Sequence, residues 1–223
     1  MLDALSELDL ARDTIVVFAS DNGPDGPAVR DFGGDMPDIA FSGPFRGALG
    51  DVSEGSIRTA AIIRWPGRVT PRSSYAMFSI MDFFPTFAHI AGGKVPDNRP
   101  IDGVDQTDVL LGGNDIGHRE HLLTFVGPAL VAARWKQFRG YFVDVAPSRN
   151  GDGGATLLGG VGTSAAPMNG YPRVFNIEAD PREEHNIGEM YEWVLGPLLK
   201  AVEEYKASVA KYPNPPAANM TQF

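Results

Sequence analysis

The sequence has 223 residues, of which 43% are hydrophobic, and a formal net charge of −9. A chain of this size and composition can bury a core, so we expect a folded protein of one or two domains. The acidic balance argues against a nucleic-acid partner, no apolar run is long enough to cross a membrane, and the absence of cysteine excludes disulfides and thiolate metal sites.

The first ten residues predict an amphipathic helix, because Leu2, Leu5 and Leu8 recur at intervals of three. This stretch lacks the basic region and the continuous apolar region of a signal peptide, and the sequence assigns no localisation. The helix has no N-cap or lead-in, so we expect the chain to begin partway through a larger structural unit.

Two apolar runs predict strands at residues 14–20 and 60–65. Neither run alternates with polar residues, which is typical of strands that are buried on both faces of a helix-covered sheet. Residues 21–58 between them are rich in Gly, Pro and Asp, and a loop region of this length is usually functional or disordered. Asp82 then favours the N-cap of a helix that runs to about Ala91.

The pattern changes at about residue 119, where hairpin-type strands begin. A long helix follows, with Asn186 and Glu189 as its capping box and a kink or break at Gly196 and Pro197. We therefore expect an α/β unit at residues 1–118 and a smaller antiparallel sheet with a long C-terminal helix at residues 119–223.

Asp21 and Asn22 follow the first predicted strand, at an end of the sheet where ligand sites gather. A carboxylate beside an amide oxygen suits a hard cation such as Ca²⁺ or Mg²⁺, and Gly23 lets the backbone turn sharply behind them. The same residues also favour an ordinary turn through local hydrogen bonds. Taken alone, the dipeptide leaves both interpretations open.

Two other functional interpretations fail on the sequence. An EF-hand loop that begins at Asp21 would place Phe32 at position twelve, where a bidentate Glu is required. A serine-hydrolase elbow around Ser53 would need a glycine where Asp51 stands. Ser53 is therefore interpreted as a loop serine.

Several stretches carry a family resemblance in the same order as in that family: LDALSELDLARDTIVVFASDNG, FRGALGDVSEGSIRTAAIIRWPG, MDFFPTFAHIAGG, RPIDGVD and VFNIEADPREEHNI. With them the chain resembles the C-terminal half of a sulfatase of the alkaline-phosphatase-like superfamily. The likeness covers nearly the whole chain and is loosest between residues 119 and 172. It implies that residues 1–118 form part of an alkaline-phosphatase-like α/β/α sheet and that residues 119–223 form a small C-terminal subdomain.

The resemblance also implies an activity, the hydrolysis of sulfate esters with one Ca²⁺ and a formylglycine nucleophile. That nucleophile is made from Cys or Ser in a C/S-x-P-S-R motif. By position, Asp21 and Asn22 would complete the metal site, and Asn22 is also a candidate sulfate contact. Arg46 is a further candidate for contact with the substrate anion.

Important parts of the family pattern are missing. The C/S-x-P-S-R motif is absent, and the residues around Ser164 do not fit it. Where the family has Arg-Gly-x-Lys-Gly, Leu49 takes the place of the lysine, and a leucine cannot stabilise a developing anion. Asp21 and Asn22 offer two or three of the roughly six to eight oxygens that Ca²⁺ takes. We therefore expect an incomplete calcium site and a chain that is inactive alone.

Three functional hypotheses stay open. The first is part of a sulfatase whose nucleophile lies in a preceding half, with a sulfate ester as substrate. The second is a truncated or degenerate relative without activity, and the third is a related phosphate or carboxylic ester hydrolase. We further expect self-association through an uncovered sheet edge, since unpaired strands template assembly.

The remaining charged residues are interpreted as structural. His118 and His121 lie three residues apart without a third ligand, and His89 lies off the apolar stripe of its helix, which favours surface or packing roles for all three. Glu54 and Arg58 are expected to pair with each other or with the backbone.

Overall fold

The computed structural model describes residues 1–24, 42–47, 51–127, 129–148, 162–168 and 170–213. The α-helices in this part of the chain are α1 (Leu2–Glu7), α2 (Glu54–Ile57), α3 (Phe83–Ile90), α4 (Thr107–Leu111) and α5 (Leu195–Lys211). The strands are β1 (Val16–Ala19), β2 (Ala61–Arg64), β3 (His121–Val126), β4 (Ala129–Trp135), β5 (Phe138–Tyr141), β6 (Val143–Ser148), β7 (Gly162–Pro167) and β8 (Arg173–Asn176). Short 3-10 helices span Ala11–Asp13, Ile80–Asp82 and Glu192–Val194.

Strands β1 and β2 form an antiparallel pair, in which Phe18 lies opposite Ile62 and Ala19 opposite Ala61. The two strands are predicted correctly, but the expectation that they are buried on both faces is wrong. Phe18 is 72% exposed and Ile62 is 63% exposed. Within the described residues no third strand pairs with either of them, so the apolar runs that a larger sheet would cover are left open.

The second half contains a four-stranded antiparallel sheet in the order β3-β4-β5-β8. The hairpin-type strands predicted after residue 119 are therefore confirmed. The pairing of β3 with β4 skips Val131, between the pairs Thr124–Ala132 and Phe125–Leu130, so β4 carries a β-bulge there. A separate hairpin pairs β6 with β7.

Helix α5 covers one face of this sheet. Ala133, Val174 and Phe138 pack there against Leu198 and Val202. Gly140 sits in the middle of β5 because Leu198 needs the space: a Cβ at Gly140 would lie 2.6 Å from Leu198 Cδ1. Among the described helices, none combines the length and the apolarity needed to span a bilayer.

The predicted start of α5 is wrong. The helix begins at Leu195, and the predicted cap, Asn186, instead accepts hydrogen bonds from the backbone N–H groups of Val174 (2.9 Å) and Gly188 (3.0 Å). Pro197 consequently falls in the first turn of α5, where a missing N–H costs nothing, so the predicted kink has no cause.

The opposite face of the sheet carries charged residues. Alternation along the strands places Arg134, Arg139 and Tyr141 on this face, because β4 pairs Arg134 with Arg139 and Ala132 with Tyr141. Phe175 of β8 is paired with Arg139 and lies on the same face. Val52 packs there against Tyr141 and Phe175. The segment around residues 51–56 therefore lies on the side of the sheet away from α5.

A buried ion pair connects α3 to the start of this sheet. Asp82 occupies the N-cap position of α3 as predicted, but its fully buried carboxylate does not cap that helix. It accepts hydrogen bonds from the backbone N–H groups of Ser79 and Val104 (2.8 and 2.7 Å) and from Arg119 Nη2 (2.5 Å). The predicted domain boundary at residue 118 stays a prediction.

We expect the chain to associate with itself through the open β1–β2 pair, since exposed apolar patches and unpaired strands favour association. Phe18→Lys should shift the protein toward monomer in light scattering at high concentration. Ile116→Lys is the matched control, because Ile116 is also exposed but lies in a distant turn. A native chain that stays monomeric at high concentration would contradict this expectation.

Candidate functional site

Asp21 and Asn22 follow β1 after one intervening residue, Ser20. Asp21 is exposed, and its carboxylate has one long contact, 3.5 Å from Ser20 Oγ. Asn22 Nδ2 donates to the backbone oxygen of Gly23 at 2.7 Å, which orients the amide, and Oδ1 has no hydrogen-bond donor among the described residues. The oxygens of a carboxylate and an oriented amide fit a hard cation.

Gly23 fixes the turn behind these two residues. Its N–H donates to the backbone oxygen of Ser56 at 2.7 Å. A Cβ on Gly23 would lie 2.0 Å from the backbone oxygen of Gly55, which is inside van der Waals contact. Only glycine permits this approach, so the sequence Asp-Asn-Gly fits a strand end that is pressed against the α2 turn.

The α2 turn is itself held by local hydrogen bonds. Asp51 accepts hydrogen bonds from the backbone N–H of Val52 at 2.7 Å and from Ser53 Oγ at 2.8 Å. Ser56 Oγ donates to the backbone oxygen of Asp51 at 2.5 Å. The hydroxyl of Ser53 is thus engaged by Asp51, which agrees with its interpretation as a loop serine.

Glu54 at the start of α2 is the centre of a buried charge network. Its side chain is almost inaccessible, and its carboxylate contacts Arg58 at 2.9 Å, Arg134 at 2.6 Å and Arg139 at 3.4 Å. The predicted pairing of Glu54 with Arg58 is confirmed. Burial lowers the pKa of Arg134 below its ordinary value, whereas for Arg139 the effect of burial is outweighed by Tyr141, Glu54 and Glu183, which raise its pKa.

Glu183 completes the network from the far end of the sequence. It accepts a hydrogen bond from the backbone N–H of Glu54 at 2.8 Å through Oε1, and the hydroxyl of Tyr141 donates to its Oε2. Burial raises the pKa of Tyr141, and the Glu183 carboxylate acts in the same direction, so the phenol remains a donor. The C-terminal half therefore holds the α2 turn in place, and the α2 turn contacts the strand end that carries Asp21 and Asn22.

Sequence reasoning missed the long-range partners in this network, Arg134, Arg139, Tyr141 and Glu183. One signal was present: two arginines stand inside the otherwise apolar strand pattern ALVAARWKQFRGYFV, and arginine is rarely buried without a partner. The identity of that partner depends on contacts between residues 80 or more positions apart.

The structure places the guanidinium of Arg46 beside the 180–186 segment. Its Nη1 donates to the backbone oxygen of Glu183 at 3.4 Å, and its side chain lines a cavity that neither Asp21 nor Asn22 lines. Its backbone oxygen accepts from the N–H of Gly55 at 2.7 Å, so Arg46 still contacts the α2 turn. Leu49 lies outside the described residues.

A cluster of three acidic or histidine side chains that includes Asp21 is not found among the described residues. Their one grouping of three possible ligand side chains is Asp180, Glu184 and His185, and it does not include Asp21. Asp180 there accepts the backbone N–H groups of Glu184 (2.9 Å) and His185 (2.8 Å), which accounts for its position.

The remaining histidines have structural surroundings. His118 lies 2.9 Å from Asp108, and His89 is hydrogen-bonded to Asp105; both rings are more than half exposed. His121 begins β3 and is partly buried. Among the described residues, the one group of possible metal ligands does not include any of these three.

A sulfatase family model matches residues 1–93. Steryl-sulfatase from Rattus norvegicus is 30% identical over 234 residues, covering 96% of this chain and 39% of that protein. Mus musculus steryl-sulfatase is 39% identical over 140 residues, covering 60% and 22%, and Bos taurus arylsulfatase A is 28% identical, covering 95% and 41%. The chain thus spans well under half the length of the curated relatives it matches.

Solved structures agree with these relatives. The PsFucS1 sulfatase from Pseudoalteromonas sp. superposes with a TM-score of 0.79 at 25% sequence identity, covering 96% of this chain and 41% of that one. The expected fold class, a mixed α/β chain related to alkaline-phosphatase-like sulfatases with an antiparallel sheet and a long C-terminal helix, is confirmed.

Replacing Gly23 with alanine should displace the strand end from α2, because the added Cβ would lie 2.0 Å from the backbone oxygen of Gly55. We expect a loss of unfolding free energy of about 1–3 kcal/mol, typical of overpacking, measured by urea denaturation. Gly196→Ala is the matched control, since nothing lies within 4 Å of its Cβ position. Equal stability of the two variants would show that Gly23 does not contact α2 closely.

Glu54→Gln should be strongly destabilising, because it leaves Arg134 and Arg139 buried with less compensating charge. Breaking a buried pair costs about 3–5 kcal/mol, and equilibrium unfolding measures it. The control is Glu204→Gln. Glu204 forms an exposed pair with Lys200 at 3.8 Å, and the loss of such a surface pair costs roughly 0–1 kcal/mol. A loss at Glu54 no larger than the loss at Glu204 contradicts the network.

Proposed function

We propose that this chain, which belongs to the sulfatase family of the alkaline-phosphatase-like superfamily, is part of a sulfuric ester hydrolase. The observation that carries the proposal is the pair of oxygen-bearing side chains that follow β1, Asp21 and Asn22, in a family whose members are named for sulfate ester hydrolysis. The substrate class is accordingly a sulfate ester.

Asp21 and Asn22 are proposed as ligands of a divalent cation, Ca²⁺. Asp21 contributes negative charge, and Asn22 contributes a neutral oxygen whose direction is set by the bond from its Nδ2 to Gly23. When bound, the cation supplies Lewis-acid stabilisation of charge on the sulfate. The second N–H of the Asn22 amide remains a donor for an anionic substrate.

The two residues provide only part of a site, because Ca²⁺ takes roughly six to eight oxygens. We propose that the other ligands and the formylglycine nucleophile come from a segment outside this sequence, and that the chain alone does not turn substrate over. The small share of its relatives that the chain covers supports this part of the proposal.

A second candidate function is favoured by Leu49, which stands where the family pattern has a lysine. On this alternative, the chain is a non-catalytic relative or a hydrolase of another ester, because anion stabilisation is a major term in sulfate ester hydrolysis. Rates on aryl sulfate, aryl phosphate and carboxylic ester substrates, measured side by side, distinguish these cases. If the proposed function is correct, the protein that includes the nucleophile hydrolyses the aryl sulfate faster than the other two esters.

The coding region upstream of Met1 tests where the nucleophile comes from. An in-frame C/S-x-P-S-R motif is the expected result. If that region encodes none, the sulfatase proposal fails for this gene.

Calcium binding tests the ligand assignment independently of turnover. By calorimetry we expect the chain to bind Ca²⁺ weakly, at about 10⁻⁴–10⁻³ M or weaker, and the double variant Asp21→Ala and Asn22→Ala to lose that binding. Asp97→Ala is the control, because Asp97 is an exposed acid in the segment between α3 and α4. Tight calcium binding that survives the double substitution would remove these residues from the site.

A further inference from the structure

The cavity that Arg46 lines lies on the sheet face opposite α5, between residues 42–47 and the segment that follows β8. Its volume is about 570 Å³, and small-molecule sites usually occupy about 300–1,000 Å³. Three arginines line it, Arg46, Arg173 and Arg182. In a protein with a net charge of −9, this concentration of positive charge is a local exception.

Arg173 shows that the cavity has an unfilled hydrogen-bonding requirement. It lies on the same sheet face as Arg139, and its Nη2 pairs with Asp144 at 3.0 Å. Its Nε is buried, yet it has no hydrogen-bond partner among the described residues. Buried donors are almost always paired in folded proteins, so this atom indicates that an acceptor belongs there.

The other two arginines, Arg46 and Arg182, are exposed. Among the described residues, no carboxylate lies within 4 Å of the guanidinium of Arg46 or of Arg182. Of the two glutamates beside the cavity, Glu183 turns inward to Tyr141 and the backbone of Glu54. Glu184 then remains at the rim and Asp144 pairs with Arg173, so the three guanidinium groups exceed these two acids by one positive charge.

Asn186 adds a fourth, oriented donor. Its Oδ1 accepts from the backbone N–H groups of Val174 and Gly188, which fixes the amide, so the NH₂ group is the free end of a side chain that lines the cavity. Asn186, which was predicted to cap a helix, is therefore a fixed part of the cavity wall.

We propose that this cavity is an oxyanion-binding site that takes a sulfate or phosphate group, free or esterified to a molecule of monosaccharide size. Planar guanidinium groups bind such groups with paired charge-assisted hydrogen bonds, and three of them with one amide supply more donors than a two-oxygen carboxylate can accept. The site is separate from the Asp21–Asn22 strand end, and it goes beyond the proposed hydrolysis.

Calorimetric titration of the full chain in calcium-free buffer tests this site, with inorganic sulfate and with galactose 6-sulfate as probes. We expect saturable binding that weakens about tenfold in Arg46→Gln and in Arg182→Gln, since each removes a charge-assisted contact. Arg99→Gln is the matched control, because it removes one exposed positive charge outside the cavity, and it should change the affinity less than twofold. Circular dichroism confirms that each variant is folded.

The probes separate the two sources of the group. Tighter binding of galactose 6-sulfate identifies an ester-linked group, and tighter binding of inorganic sulfate identifies the free anion; the site stands in both cases. Asn22→Ala should leave the affinity unchanged, which separates this site from the proposed metal site. No saturable binding, or equal losses in Arg99→Gln and the two cavity variants, overturns the proposal.

Discussion

The buried carboxylate of Glu54 is the contact on which the rest of the described structure depends. It joins the α2 turn to Arg134 and Arg139, which lie 80 and 85 residues away in the sheet, while its N–H reaches Glu183, 129 residues away. Burying these charges is costly unless every partner is present. We interpret the network as a device that sets one arrangement of the strand end relative to the C-terminal sheet. A purely apolar contact would stabilise these segments without fixing their register so closely.

The two sides of the four-stranded sheet have different roles because side chains alternate along its strands. The side that faces α5 is apolar, and Gly140 yields its space there to Leu198. The other side carries arginines. Two of them pair with Glu54 in the interior, whereas Arg173 of β8 pairs with the exposed Asp144 and lines the cavity beside Arg46. The alternation of side chains along the strands thus places both the buried network and the cavity arginines on one face of the sheet. Only the arginines of the network have a buried acid as their partner.

Sequence patterns predicted the elements whose signals are local. The strand before Asp21, the antiparallel strands after residue 119 and the pairing of Glu54 with Arg58 are all found. The errors arise where partners are distant. Asn186 has the spacing of a helix cap, but its oxygen is taken by the backbone of Val174 on a neighbouring strand. The apolar run around Phe18 predicts burial, but Phe18 is exposed. An apolar pattern does not identify the segments that would have to pack on it. Glu183 was missed because nothing within its own segment identifies Tyr141 as its partner.

Amide hydrogen exchange at Gly23 tests most directly whether the C-terminal network shapes the strand end. The N–H of Gly23 is protected by the backbone oxygen of Ser56, and the N–H of Ile177 in the sheet is protected by Gln137. If Glu183 holds α2 in place, Glu183→Ala should speed exchange at Gly23 and Gly55 by about tenfold or more, as expected for loss of about 1.4 kcal/mol of local protection, relative to Ile177. Unchanged protection of Gly23 in a folded Glu183→Ala variant would contradict the account.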